Sequence, residues 1–122
     1  MTDLRIKLGK SGEDEAVSFL KRMGFKIIER NYRCCYGEVD IVAMENGTYV
    51  FVEVKARRTQ AYGVPQMAVN FKKQKQLSKV ASHYMVQKRL KDIPARFDVI
   101  AVNITDDVMK AELIRNAFEC RL

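Results

Sequence analysis

The stretch GEVDIVAMENGTYVFVEVK, residues 37–55, decides the fold. Two alternating segments, Glu38 to Met44 and Tyr49 to Lys55, flank Asn46-Gly47. That dipeptide accepts the positive φ angles of a tight turn, so the stretch predicts a β-hairpin. With Asn46 and Gly47 at the turn centre, Glu45 pairs with Thr48, and a four-residue loop keeps the same register. Counting outward, Met44 meets Tyr49, Val42 meets Phe51, and Asp40 meets Glu53, with Glu38 opposite Lys55. Directly opposed residues share a sheet face, so Glu38, Asp40, Glu53 and Lys55 are expected on one face.

Opposed carboxylates repel and destabilise a strand pair. Glu53 also lies within Val50-Phe51-Val52 and Val54, which reads as a central, buried strand. A carboxylate pair there needs a nearby cation, or one member keeps its proton. Lys55 supplies part of that charge, and a divalent ion would supply more. Hard oxygen ligands suit Mg2+ or Mn2+. Zinc is disfavoured, because His83 is the sole histidine and the cysteines lack ligand spacing.

Working outward, Ser11 to Met23 predicts a helix, with Ala16, Phe19, Leu20 and Met23 at helical spacing and Gly24 as a stop. Glu13, Asp14 and Glu15 fall in its first turn, where the helix dipole favours acids. Glu13, Val17 and Leu20 are spaced i, i+4 and i+7, so Glu13 borders the apolar stripe and is a candidate third carboxylate. Asp14 and Glu15 are expected to face solvent. Phe25 to Arg30 reads as a short strand, and Gly63 to Asn70 as loop or helix entry. Phe71 to Arg89 reads as a second helix, with Leu77, Val80, Ala81 and Tyr84 on one face. Phe97 to Val102 and Lys110 to Phe118 read as antiparallel strands, turning at Asp106-Asp107. The order α, β, β, β, α, β, β implies an α/β fold in which helices flank a mixed sheet.

The chain's 122 residues suit a single domain spanning 1–122, and 48% hydrophobic content with 30% charge argues against global disorder. Charge breaks every apolar run, so no transmembrane helix is expected. Met1 to Lys10 lacks an apolar signal segment, and three cysteines make no disulfide framework, so a cytoplasmic location is expected. Twenty-two Lys and Arg against fifteen Asp and Glu leave +7, which favours polyanions. The surplus is clustered at Lys72, Lys73, Lys75 and Lys79, at Lys88, Arg89 and Lys91, and at Lys55, Arg57 and Arg58.

Taken together, these residues resemble a known family. Glu13 on an opening helix, Gly37-Glu38-Val39-Asp40, and Phe51-Val52-Glu53-Val54-Lys55 with Arg57 resemble the PD-(D/E)xK nuclease superfamily. More closely, the chain resembles the YraN-like family of small bacterial proteins. The likeness runs through Gly63, Ala68-Val69, Lys73, Leu77 and Arg96-Phe97-Asp98. Val39 stands where the superfamily pattern has proline, which is not a ligand. The resemblance implies a restriction-endonuclease-like core of about five strands, similar to archaeal Holliday junction resolvases. It also implies metal-assisted phosphodiester hydrolysis. In that scheme Asp40 and Glu53, with the Val54 carbonyl, hold Mg2+ or Mn2+. Lys55 orients or deprotonates water, or stabilises the phosphate. Glu13 assists coordination or holds a second metal, while Lys73 and Arg57 are candidate phosphate contacts. Branched DNA is the implied substrate, and a two-fold homodimer is plausible because resolvases cut paired strands.

Each residue also has a plainer reading. Asp40, Glu53 and Lys55 could form a structural ion-pair cluster, and Glu13 could serve only the helix dipole. Lys73 could be a solvated lysine, and Arg57 a strand cap. Asp98 could pair with Arg96 or Arg57, while Tyr32, Tyr36 and Tyr62 could stack on bases or pack locally. His83 reads as a surface residue, and Cys34 and Cys35 as ordinary loop or strand-end residues. The rival functions are a nucleic-acid-binding module without turnover and an adaptor for an acidic partner.

Overall fold

A computed structural model describes residues 3–58, 69–106 and 108–122, with side chains from residue 11 onward. The elements are α1 (Asp3–Arg22), β1 (Lys26–Cys34), β2 (Gly37–Glu45), β3 (Thr48–Arg58), α2 (Phe71–Gln87), β4 (Ala95–Thr105) and β5 (Val108–Phe118). The strands form one mixed sheet in the order β1-β2-β3-β4-β5. Only β3 and β4 run parallel, and α2 lies in the connection between them. This is the expected α/β architecture of a five-stranded mixed sheet with two helices, consistent with a restriction-endonuclease-like core.

Alternation along the central strands produces two cores. Val50 and Val52 of β3, with Ile100 and Val102 of β4, pack against Ala16, Val17 and Leu20 of α1. Phe51, Phe97 and Val99 face the other way, onto Leu77, Val80, Ala81 and Tyr84 of α2. Both faces are covered, so the middle strands read as nearly continuous apolar runs. Close approach of α1 to β3 requires Gly12, since a Cβ there would overlap the Cβ of Ala56.

The Asn46-Gly47 turn is as expected, with φ of 50° and 80° at the two positions. Two other elements depart from expectation. Helix α1 begins at Asp3, so Glu13, Asp14 and Glu15 sit mid-helix and the first-turn dipole argument does not apply to them. Strand β1 runs on to Cys34, and Cys35-Tyr36 is the two-residue turn into β2. A register shift between Ile27 and Glu29 and a left-handed Asn31 (φ 55°) break the alternation that would have marked this strand. Helix α2 starts where expected, because the Asn70 side chain accepts the Lys73 N–H at 2.8 Å. Most of the anticipated loop before it, including Gly63 and Ala68, lies outside the described residues, as do Tyr62 and Asp107.

Asp98 is fully buried on β4, and Arg96 is its partner. Arg96 Nε donates to Oδ1 at 2.9 Å and Nη2 to Oδ2 at 3.1 Å, while the Asn116 N–H donates to Oδ1 at 2.9 Å. Arg96 also reaches Glu45 at the hairpin end, and Arg115 of β5 donates to Glu45 Oε2 at 2.8 Å. These bonds tie β2, β4 and β5 together through one buried carboxylate. Removing a member of such a pair strands the other charge. Asp98→Ala is therefore expected to cost about 3–5 kcal/mol in urea unfolding, and an unchanged midpoint would refute this role.

Candidate functional site

The β2–β3 ladder follows the counted register from Glu45/Thr48 through Ile41/Val52. At Asp40 it changes. The Val54 N–H donates to Asp40 Oδ2 at 2.8 Å, so a side chain continues the connection between the strands. On the other side of β2, Arg30 pairs with Ile41 and Tyr32 with Val39, leaving left-handed Asn31 across from Asp40. Val39 and Val42 both join the core under α2, whereas Ile41 and Ala43 join the core under α1. Alternation thus slips by one step between Val39 and Ile41. Asp40 stands at that slip.

Asp40 and Glu53 come close enough for each carboxyl to feel the other. Burial is the largest cause pushing the Asp40 carboxyl up from 3.8 to about 7, followed by the hydrogen bond and the charge of Glu53. The Val54 N–H and the Lys73 ammonium pull the other way. Lys73 Nζ lies 3.4 Å from Glu53 Oε2, and the Glu53 side chain is only 14% exposed. Lysine from α2 therefore adds positive charge beside the one expected from Lys55. Lys55 is half-buried two residues beyond Glu53 on β3.

The other candidates are placed as follows. Glu38 does not face Lys55; it pairs across β1–β2 with Arg33 at 3.2 Å, because the slip at Asp40 ends the counted alternation. Glu13 accepts from Asn31 Nδ2 at 2.9 Å and from Arg30 Nε at 3.1 Å. It flanks Asp40 at one remove, through Asn31. Asp14 also binds Arg30, at 2.7 Å. Among the described residues, no three acidic, cysteine or histidine side chains gather as a metal-holding group. Arg57 is exposed and donates to Asn103 on neighbouring β4 at 3.3 Å.

Sequence reasoning missed two partners. Neither Asn31 nor the Lys73–Glu53 pair is written in local spacing, since each joins elements far apart in the chain. His83 is not merely a surface residue: its Nδ1 is 2.7 Å from the Tyr32 hydroxyl, and its ring stands edge-on to Tyr36.

The fold and the pair define a class: α/β proteins with a restriction-endonuclease-like core and a carboxylate pair at a break in the sheet ladder. The model of the family described as "Uncharacterised protein family UPF0102" matches residues 12–102. A UPF0102 protein of Syntrophus aciditrophicus is 47% identical over 114 residues, covering 93% of this chain and 90% of that protein. One of Geobacter sulfurreducens is 54% identical over 113 residues, with 92% and 88% covered. One of Caldicellulosiruptor saccharolyticus is 47% identical over 114 residues, with 92% and 97% covered. The chain belongs to the UPF0102 (YraN-like) family. No helix among the described residues is long and apolar enough to cross a membrane.

The Asp40 proton has a consequence for stability. The folded chain holds it more tightly than the unfolded chain, which loses it near the ordinary value of 3.8. Between that value and about 7 the folded state binds more protons, so stability falls as pH rises through this window. Asp40→Asn keeps a neutral, hydrogen-bonding side chain and removes the titration. Wild-type stability is expected to decline relative to Asp40→Asn from about pH 4 to pH 8 in urea denaturation. A difference that stays flat with pH would contradict the buried, proton-sharing pair.

Proposed function

We propose that this protein is a metal-dependent phosphodiester hydrolase acting on DNA, within the PD-(D/E)xK nuclease superfamily. One observation carries the reading: Asp40 and Glu53 converge where the ladder opens, and Asp40 is pushed up to about 7 by burial and by Glu53. A proton on the pair relieves the repulsion that a divalent cation would relieve better. The donor set is oxygen-only, which suits Mg2+ or Mn2+. Asp40 and Glu53 are the residues that would hold such an ion.

A bound Mg2+ supplies Lewis acidity and charge neutralisation at the phosphodiester. The chain's own groups do the rest. The Val54 N–H fixes the Asp40 carboxylate, so one ligand is oriented before any substrate arrives. Lys55 orients the attacking water or stabilises charge building on the phosphate. Lys73, already beside Glu53, is placed to move from that carboxylate to a substrate phosphate. Glu13, held by Asn31 and Arg30, assists coordination from beside the pair. Arg57 adds positive charge at the outer end of β3.

The substrate proposed is branched or otherwise structured DNA, in keeping with the resemblance to junction resolvases, and a two-fold dimer would let paired strands be cut together. A second reading is favoured by one contact. Lys73 already neutralises Glu53 at 3.4 Å, as it would in a DNA-binding module that keeps the fold without turnover.

The test is cleavage of linear, nicked, flapped and four-way DNA with Mg2+ or Mn2+. Wild type is expected to cut, Asp40→Asn and Glu53→Gln to lose metal-dependent cutting, and Lys55→Ala to fall by on the order of a hundred-fold or more. Metal-independent binding with no cutting in either metal would replace the hydrolase by the binding module.

A further inference from the structure

A basic groove adjoins the pair along α2. Lys72, Lys73, Lys75, Gln76 and Lys79 line a groove of about 600 Å³ together with Tyr36. Among the described residues, no acidic side chain lines it. Lys73 belongs both to this groove and to the ion pair with Glu53, so one side chain joins the groove to the carboxylate pair. A second groove, of about 510 Å³, continues along α2 past His83 and Val86, and shares Tyr36 and Lys79 with the first.

Tyr36 stands where the two meet. It is 49% exposed at the tip of the β1–β2 turn, yet its surroundings hold it. Gln76 Nε2 donates to the Tyr36 carbonyl at 3.2 Å, and the next residue, Gly37, has a φ of 138° that other residues rarely adopt. The His83 ring lies edge-on at 6.2 Å, and Lys79 Nζ lies 6.0 Å from the Tyr36 ring centre. An exposed aromatic ring held against α2, beside a row of ammonium groups, combines the two components of single-strand binding: a stacking surface and a phosphate track.

We propose that α2 and the β1–β2 turn form a path for an unpaired DNA strand. Its phosphates follow Lys79, Lys75 and Lys72 towards Lys73 and the Asp40–Glu53 pair, and one base stacks on Tyr36. The path rests on the hydrolase reading only for its destination, since strand binding needs no turnover. A duplex keeps its bases paired and stacked inside, so it offers the lysines its phosphates but offers Tyr36 nothing. The substrate class is thereby narrowed to DNA with an unpaired arm or gap.

The test separates base from phosphate. Full-length protein without metal is titrated, by fluorescence anisotropy, into labelled oligothymidylate and into an abasic strand of the same length. Wild type is expected to bind oligothymidylate at least about five-fold more tightly, the lower end of one base stacked on an aromatic ring. Tyr36→Ala is expected to erase that preference, and Tyr36→Phe to keep it. Lys72→Ala with Lys75→Ala is expected to weaken both strands alike and to flatten the salt dependence by roughly 0.7 per lost phosphate contact. Equal binding of the two strands by wild type overturns the proposal, as does a preference that survives Tyr36→Ala. Preference without cleavage in Mg2+ or Mn2+ upholds the path and removes only the hydrolase; cleavage without preference does the reverse.

Discussion

Asp40 replaces a piece of backbone. Its carboxylate takes the Val54 N–H at the point where β2 and β3 cease to pair as a regular ladder, and Asn31 lies across from it in β1. A side-chain acceptor inside a sheet is costly unless the backbone donor has no better partner. Here the slip between Val39 and Ile41 creates that donor and turns the carboxylate towards Glu53. The strand break, the carboxylate contact and the raised Asp40 pKa are thus one local arrangement. A regular ladder through Asp40 would leave nothing for the carboxylate to hold.

The rest of the fold makes this break affordable. Both sheet faces are sealed, by α1 at Ala16, Val17 and Leu20 and by α2 at Leu77, Val80 and Tyr84. The opposite end of the sheet is locked by Asp98, Arg96, Glu45 and Arg115. Arg115 and Arg96 hold Glu45 below the usual carboxylate range, the reverse of what happens at Asp40. Two acidic sites in one sheet therefore have opposite character. Glu45 and Asp98 are matched by guanidinium groups that stay charged, whereas Glu53 meets the ammonium group of Lys73 and its neighbour Asp40 is pushed up rather than down.

The site was partly legible because a tight turn sets register by counting. Asn46-Gly47 accepts positive φ at both positions, so the register from Glu45/Thr48 to Ile41/Val52, which brings Asp40 next to Glu53, followed from position numbers alone. Counting failed one step later, at Glu38, because β2 slips between Val39 and Ile41 and no residue of Gly37 to Ile41 marks the slip. A separate irregularity, the bulge at Ile27 and Glu29 with left-handed Asn31, hid the length of β1 and the Cys35-Tyr36 turn. Glu13 illustrates a different failure. Helical spacing placed it correctly beside the apolar stripe, but its partners Arg30 and Asn31 belong to the next element. Periodicity tells which way a side chain faces; it does not tell what waits there.

That distinction also bears on Lys73. In the sequence it is one lysine among four, with nothing to separate it from Lys72, Lys75 or Lys79. In the fold it alone of these reaches Glu53, because the Asn70 cap fixes where α2 begins and so which turn faces the sheet. Shifting that cap by one residue would rotate the helix surface by roughly 100° and carry the ammonium group away from the carboxylates. The cap, rather than the abundance of lysine, therefore joins a basic surface to an acidic pair. One ammonium group thus belongs at once to the basic surface of α2 and to the carboxylate pair.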